Sequence, residues 1–307
     1  MALGKNAVVS PVLSTLMQGY RIGGTVGHYL FLIVPVDSIV GMIPKFGAEE
    51  YRKYRTKRGM RSKSNRMEWG ADLIPYELAE HTMEIPVDDR EESLGKTLGN
   101  NIQPRRIAAK KAQGIVLNDL EIEQAEMAQN PDNYESDHVK SLSSGEKFSN
   151  ESSDPFAVLE TAKEKIRKRI GIAPNTLVLG TSSGSALKRH PKIIDRLKYS
   201  QVGVVTDSDL AKVFDLQKVV IGESMMATKE GSFTPLWDTV AVMAYVPEKG
   251  DQDVENPSFG YTLSMKNYPY VDEYRDESCK SNIIRSNGLY EIKMTSPVSG
   301  FLFTDTI

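Results

Sequence analysis

The chain has 307 residues, with 38 Lys and Arg against 41 Asp and Glu, which gives a formal net charge of −3. With 40% hydrophobic and 26% charged residues, its composition is that of a folded protein and excludes a disordered chain or a membrane protein. A single cysteine, Cys279, excludes an internal disulfide framework and any CxxC site, and four histidines leave little room for a multi-histidine metal centre. The near-neutral charge disfavours a dedicated nucleic-acid binder, whose domains are strongly basic. At roughly 100–200 residues per domain, the length predicts two domains or one core with a large insertion.

The first part of the chain, residues 1–46, is apolar, with Gly and Pro scattered through it. Such a segment is typical of an arm that packs against a larger body. Its most apolar run, Tyr29 to Val36, falls far short of the ~20 residues that span a bilayer. The N-terminus also lacks the basic and long apolar regions of a secretory signal. We therefore expect no membrane segment and a protein made in the cytosol.

Two blocks of opposite charge follow the arm. The basic block comprises Arg52, Lys53, Arg55, Lys57, Arg58, Arg61, Lys63 and Arg66. The acidic block comprises Glu77, Glu80, Glu84, Asp88, Asp89, Glu91 and Glu92, with Arg90 as the one base among them. The basic block has too few aliphatic residues for a core, so we interpret it as an exposed excursion of the chain. Opposite charges on the two edges of one projecting hairpin would let copies of the protein pair, and we favour this over phosphate binding by the basic block.

The middle of the chain contains clear start and stop signals for helices. Pro104 suits a first helical position and Asn130-Pro131 is a stop signal, which together predict a helix over 104–129, ~39 Å long. The polar, Ser-rich segment 133–153 predicts a connector between domains. A second helix is predicted from Pro155 to Ile170, with Asp154 as its cap and Gly171 just after its end.

Helices and strands alternate from residue 154 to residue 246, which predicts a compact α/β unit. The predicted strands are 176–179, 219–222 and 240–246, and the predicted helices are 183–190 and a short one capped by Thr206. From residue 258 the pattern is all strand. There, Ser286-Asn287-Gly288 predicts a hairpin turn between strands at 282–284 and 289–293.

The segment Gly180-Thr181-Ser182-Ser183-Gly184 fits the G-x-S-x-G nucleophile elbow between a strand and a helix. The one histidine after Ser182 is His190, at the end of the same predicted helix, so a catalytic triad would lack its base. The segment also lacks the Lys–Ser pair of a P-loop. A plain strand-to-helix turn is the favoured interpretation. An α/β hydrolase or nucleotide-binding enzyme that uses the Gly180–Gly184 turn is the alternative function.

Three further fragments predict no metal or catalytic site. His81-Thr82-Met83-Glu84 lacks the second histidine of a zincin. Asp251, Asp253 and Glu255 alternate like calcium ligands, but Asn256 stands where an EF-hand loop needs glycine. Cys279 lies in an acidic stretch, which disfavours an activated nucleophile. We expect no cofactor and no metal.

The order of these parts, an apolar arm, a charged excursion, a long helix, an α/β unit and terminal strands, resembles the major capsid (coat) protein of tailed bacteriophages. The resemblance is closest between Ile107 and Ile221, where Ser153-Asp154-Pro155 and the run from Pro174 to Gly180 are similar to the entry of that family's axial domain. The runs from Pro257 to Tyr261 and from Tyr268 to Val271 are similar to its C-terminal region.

The resemblance implies a structural protein with the α+β, Hong Kong-type (Johnson) capsid fold, no enzymatic activity and no cofactor. Its implied parts are an N-terminal arm (1–46), an extended loop over a neighbouring subunit (47–88), a peripheral domain (89–149) with its spine helix (104–129), an axial domain (150–250) and C-terminal strands that complete the peripheral domain (251–307). It also implies assembly in the host cytoplasm into hexamers and pentamers of an icosahedral head around double-stranded DNA. The implied partners are a separate scaffolding protein, a portal and decoration proteins, and the two charge blocks become candidate contacts between subunits.

Overall fold

Two large β-sheets pack against one long helix at the centre of the fold, and two two-stranded ribbons accompany them. The computed structural model describes residues 8–9, 14, 23–44, 57–61, 63–64, 73–97, 103–198, 204–227, 231–248 and 258–307. Before the long helix lie strands β1 (Val8–Val9), β2 (Phe31–Val36), β3 (Val40–Pro44), β4 (Leu73–Glu77) and β5 (Ala79–Asp88), and helix α1 (Asp89–Thr97). The long helix is α2 (Pro104–Gln129).

After α2 come strand β6 (Val139–Ser141) and four helices: α3 (Pro155–Ile170), α4 (Thr181–Arg189), α5 (Pro191–Leu197) and α6 (Asp207–Val213). The strands among and after these helices are β7 (Thr176–Gly180), β8 (Lys218–Gly222), β9 (Met225–Ala227), β10 (Phe233–Pro235) and β11 (Ala241–Ala244). The chain ends with β12 (Gly260–Met265), β13 (Tyr270–Asp276), β14 (Ser281–Met294) and β15 (Gly300–Thr304).

Strand β14 is the centre of a six-stranded sheet with the order β1-β13-β14-β12-β2, and β5 pairs with β14 as well. The β5 pairing is antiparallel and runs from Ala79, opposite Tyr290, to Asp88, opposite Ser281. Helix α2 lies against this sheet, where Ala108 and Ala109 pack with residues of β5, β13 and β14. Because these helix residues are small, α2 can approach the sheet closely.

The predicted hairpin turn at Ser286-Asn287-Gly288 is wrong, because β14 continues unbroken through it. Asn287 is 1% exposed, and its Nδ2 donates to Oδ1 of the buried Asp272 at 2.7 Å. Gly288 lies beneath α2, where a Cβ atom would stand 3.2 Å from Val116. These long-range contacts keep the chain extended at a dipeptide that by itself favours a turn.

The second sheet has five strands in the order β6-β15-β11-β7-β8 and is covered on both faces. Leu177 and Leu179 of β7 belong to the hydrophobic cluster that contains α3 to α6. Val178, between them, belongs to a second cluster with Ala125 and Ala128 of α2. A strand covered on both sides has no polar face, which explains why β7 is apolar throughout. The last strand, β15, lies in this sheet between β6 and β11 rather than with β12 to β14.

The helices begin and end close to the residues that the sequence signals predicted. Helix α2 has the predicted bounds, and Gly171 ends α3 in the left-handed conformation at φ 75°. The Thr206 capping box forms as predicted. Asp154 occupies the cap position of α3, but its side chain makes no capping hydrogen bond and lies 3.6 Å from Nζ of Lys192 instead.

Helix α4 begins at Thr181, two residues before the predicted start at Ser183. Within the described parts of the chain, no helix has both the length and the apolar character that crossing a bilayer requires.

Candidate functional site

Strands β3 and β4 form an antiparallel ribbon. Ile43 and Tyr76 anchor its inner face, since they are only 1% and 8% exposed. Gly41 makes room for the tyrosine ring, because a Cβ atom there would lie 2.5 Å from the Tyr76 hydroxyl. The ribbon is therefore fixed at its base, and the segment that it carries, residues 45–72, contains the basic block.

The outer face of this ribbon is apolar and exposed. Val40, Met42 and Leu73 are 61%, 64% and 52% exposed. Beside them lies a groove of about 560 Å³, lined by Val40, Pro75, Tyr76, Glu77, Leu78, Ala79, Glu291 and Lys293. Apolar side chains clustered on an exposed face are typical of an interaction surface.

Half of the basic block lies on the described residues. Lys57, Arg58, Arg61 and Lys63 are all exposed, and Nη1 of Arg58 donates to Oγ of Ser64 at 3.4 Å. Arg52, Lys53, Arg55 and Arg66 lie outside the described residues. The described cations are therefore open to solvent and accessible to a partner.

The acidic block is divided between three elements. Glu77 lies in β4, Glu80, Glu84 and Asp88 lie in β5, and Asp89, Glu91 and Glu92 lie in α1. Strand β5 pairs with β14, so within the described residues the acidic block does not line one edge of a hairpin opposite the basic block. The ten-residue register with β14 determines this placement, since β5 belongs to the central sheet.

Three of these acids have arginine partners that sequence reasoning missed. Asp89 accepts two hydrogen bonds from Arg275, at 2.6 and 2.7 Å, and this guanidinium holds the pKa of Asp89 below its usual value. Glu92 accepts from Nε of Arg105 at 2.5 Å, and Glu84 lies 3.6 Å from Nη1 of Arg285. Arg275 lies 186 residues after Asp89 and Arg285 lies 201 residues after Glu84, so no local pattern could have revealed these two pairings. Glu77, Glu80 and Glu91 remain exposed on the surface.

A buried carboxylate holds together the arm, the long helix and the five-stranded sheet. Glu121 of α2 is 2% exposed, and its Oε1 accepts from the backbone N–H of Val26 at 2.9 Å and from Nε1 of Trp237 at 2.9 Å. Ser224 donates to the same oxygen at 3.1 Å, and the N–H of Gly27 donates to Oε2 at 3.0 Å. Burial raises the pKa of Glu121, and these four hydrogen bonds oppose that effect. Nothing near Glu121 in sequence indicates this role, because its donors come from three distant segments.

The serine of the G-x-S-x-G motif faces an acid, but His190, the histidine that follows it in the chain, has other partners. Oγ of Ser182 donates to Oδ1 of Asp238 at 2.5 Å. The Nε2 of His190 faces Oγ of Ser153 at 3.2 Å, and its Nδ1 accepts from the N–H of Lys192 at the start of α5. His190 is thus a buried cap of α5 and is committed to its own hydrogen bonds.

The remaining fragments lie at the surface or outside the described residues. Cys279 is a free, exposed cysteine. Asp251, Asp253 and Glu255 lie outside the described residues. His81 lies in β5, with its Nδ1 3.8 Å from Oδ2 of Asp119 and 3.8 Å from Oε1 of Glu123.

Comparison with known proteins identifies the family. Residues 133–254 match the family model described as phage major capsid protein E. Over 307 residues the chain is 38% identical to the major capsid protein of Burkholderia phage BcepMu, with 98% of each chain covered. This chain belongs to the phage major capsid proteins.

Solved structures agree with this assignment. The capsid protein is similar to the crystal structure of a phage-related protein from Bordetella bronchiseptica RB50, with a TM-score of 0.80 and 32% identity over 98% of both chains. It also shares the fold of the capsid structure of cyanophage P-SCSP1u, with a TM-score of 0.58 and 9% identity over 93% of this chain and 90% of that one. The predicted α+β capsid fold of the Hong Kong type is confirmed.

Family membership also decides the class of function. The capsid protein is a structural component of a phage virion and not an enzyme, and nothing supports the hydrolase or nucleotide-binding alternative at the Gly180–Gly184 turn.

Proposed function

We propose that this capsid protein self-assembles into hexamers and pentamers of an icosahedral head that encloses double-stranded DNA, and that the β3–β4 ribbon and the segment that it carries contact a neighbouring subunit. The observation that carries the proposal is the exposed apolar face of the ribbon, with exposed cations on the segment beyond it. Such a surface is a liability for an isolated monomer and becomes a contact when a neighbour covers it.

Electrostatics supports the same contact. The four described cations of the basic block are exposed, and Glu77, Glu80 and Glu91 are exposed on β4, β5 and α1. In a ring of identical subunits, the cations of one copy can meet the acids of the next, and a heterologous contact repeated around a closed ring needs only modest strength at each interface. Asp89 and Glu92 contribute less, because Arg275 and Arg105 already pair with them.

The proposed division of the chain follows the resemblance. Residues 1–46 form the arm, 47–88 the extended loop, 89–149 and 251–307 the peripheral domain, and 150–250 the axial domain. The continuous helix α2 supports its role as the spine of the peripheral domain. A separate scaffolding protein, a portal, decoration proteins and packaged DNA are the proposed partners, and the host cytoplasm is the proposed place of assembly.

Charge reversal on the excursion tests the assembly contact. Lys57, Arg58 and Lys63 are exposed, so K57E/R58E/K63E should fold normally by circular dichroism. We expect this variant to remain as monomers or small oligomers in light scattering and negative-stain microscopy, under conditions in which the unmodified protein forms shells. The matched control K57R/R58K/K63R keeps every charge and should assemble.

If the charge-reversed variant forms normal shells, the basic block does not contribute to the contact between subunits. A wild-type protein that stays monomeric under all assembly conditions, including added scaffolding protein, would contradict the proposed self-assembly itself. If the basic block acts on DNA instead, the reversed variant forms shells but loses a DNA affinity that falls steeply with added salt.

A further inference from the structure

Three metal-ligating side chains converge where β5 crosses α2. Asp119 and Glu123 are four residues apart on α2, so they lie on one face of the helix, and both approach Nδ1 of His81 at 3.8 Å. One ligand atom from each residue lies within 4.8 Å of the other two. Ligands around a single Zn²⁺ at about 2.0–2.2 Å stand roughly 3–3.5 Å apart, so small side-chain rotations would bring these three atoms into range.

A buried hydroxyl without a partner lies beside this trio. Tyr290 of β14 is 5% exposed, and among the residues that the structure describes its Oη has no hydrogen-bond partner. Its ring stacks on the imidazole of His81, with centroids 3.9 Å apart and planes 6° from parallel. A buried polar group without a partner is uncommon, and one beside ligating carboxylates fits an outer-shell donor to a metal-bound group.

The negative charge around this trio also favours a bound cation. The carboxylates of Asp119, Glu291 and Glu126 all act electrostatically on that of Glu123. Lys293, the nearby base on β14, is engaged at 2.7 Å with Glu291. Concentrated negative charge with an imidazole among it is the setting that a divalent cation stabilises.

We propose that His81, Asp119 and Glu123 bind one divalent transition-metal ion, such as Zn²⁺ or Mn²⁺, with Tyr290 as a second-layer hydrogen-bond donor. The imidazole ligand favours a transition metal over Ca²⁺ or Mg²⁺, which prefer oxygen ligands alone. The side chains are 18%, 56% and 39% exposed in that order, so the ion can enter from solvent and keep bound water.

Such an ion would fasten the start of β5 to the long helix. His81 lies four residues after the end of β4, so the attachment point is close to the base of the exposed ribbon. The site joins two elements of the same chain and does not depend on the assembly contact proposed above.

Metal titration of the full chain tests the site. After treatment with a chelator and its removal, the protein should bind one Zn²⁺ per chain in isothermal titration calorimetry, and its melting temperature should rise with added Zn²⁺. H81F keeps the stacking on Tyr290 and removes the nitrogen ligand, while D119N and E123Q remove one carboxylate each. Each of the three should weaken Zn²⁺ binding at least tenfold.

The matched control is E126Q, which removes an exposed carboxylate that acts on Glu123 from the same helix but is not a ligand, so it should weaken Zn²⁺ binding far less than E123Q. With Co²⁺ as a spectroscopic probe, H81F should change the visible absorption spectrum, as expected for loss of a nitrogen ligand. Absence of stoichiometric Zn²⁺ or Mn²⁺ binding, equal losses in E126Q and E123Q, or a preference for Ca²⁺ would each overturn the proposal. None of these outcomes bears on shell formation, which is measured separately.

Discussion

Nε1 of Trp237 donates a 2.9 Å hydrogen bond to the carboxylate of Glu121, and this bond joins the long helix to the five-stranded sheet. Both residues are buried, at 0% and 2% exposure. The same carboxylate accepts the backbone N–H groups of Val26 and Gly27. One side chain of α2 therefore links the entry of the arm to the segment that leads into β11 of the five-stranded sheet.

Substitution of Glu121 by Gln should destabilise the fold. The amide nitrogen cannot accept a hydrogen bond, so one of the donors around Glu121, Gly27 N–H in the simplest orientation, would lose its partner. An unsatisfied buried donor costs about 1–3 kcal/mol, and relief of the buried charge offsets part of that cost. We expect E121Q to unfold at a lower urea concentration, followed by far-UV circular dichroism.

The control for this change is S224A, which removes a single donor to Oε1 and only one oxygen atom. It should cost less than E121Q, because the carboxylate retains its other three donors. Identical urea midpoints for E121Q and the unmodified protein would contradict the joining role of Glu121.

Substitution of Asn287 by Asp tests whether β14 is held extended by its neighbours. Asn287 donates to the buried Asp272, and an aspartate there would place a second carboxylate against the first. We expect a loss of about 2–4 kcal/mol in the free energy of unfolding. The measurement is the urea midpoint at neutral pH.

N282D is the matched control, because it makes the same chemical change on the same strand at a partly exposed position. Its amide donates to Glu92 at the longer distance of 3.3 Å, so it should be affected much less. Equal effects of the two substitutions would show that burial against Asp272 is not what matters.

Acid should weaken the attachment of helix α1. Arg275 lowers the pKa of Asp89 below its ordinary 3.8, so the folded state favours the ionised carboxyl. The pair therefore stabilises the protein above that ordinary pKa, and its contribution is lost as the pH falls through the lower folded value. D89N should melt slightly below the unmodified protein at neutral pH, and the difference should vanish in acid.

The effect should be small because both side chains are substantially exposed. E277Q removes the other, more exposed partner of Arg275 and should change the melting temperature less. If the difference in melting temperature between D89N and the unmodified protein stays constant from pH 6 down to about pH 2, the assigned pair is contradicted.

The helix start and stop signals in the sequence predicted the helices well. They could not predict contacts between segments that are distant in the chain. Pro104 and Asn130-Pro131 mark the ends of α2 because capping and proline chemistry act within a few residues. The turn predicted at Asn287-Gly288 failed because its extended conformation depends on Asp272 and on Val116 of α2, which no local pattern includes.

The candidate assembly surface shows the same limit. The exposure of Lys57, Arg58, Arg61 and Lys63 followed from composition, since a segment with few aliphatic residues has no core to join. The partners of Asp89 and Glu84 could not be predicted from composition. Strands β13 and β14 bring Arg275 and Arg285 to these acids from distant parts of the chain. The spacing of Asp119 and Glu123 is visible in sequence, but their approach to His81 requires the sheet on which α2 lies.

The Gly180–Gly184 turn should matter for its glycine rather than its serine. A Cβ atom on Gly180 would lie 2.0 Å from the backbone oxygen of Asp238, a collision between two backbones that no side-chain rotation relieves. G180A should therefore cost about 3 kcal/mol or more, or prevent folding. S182A loses one hydrogen bond to Asp238 and should cost about 1 kcal/mol while forming shells normally. Urea unfolding and negative-stain microscopy of the two variants would check these expectations. If G180A folds and forms shells normally while S182A does not, the serine rather than the glycine has the functional role.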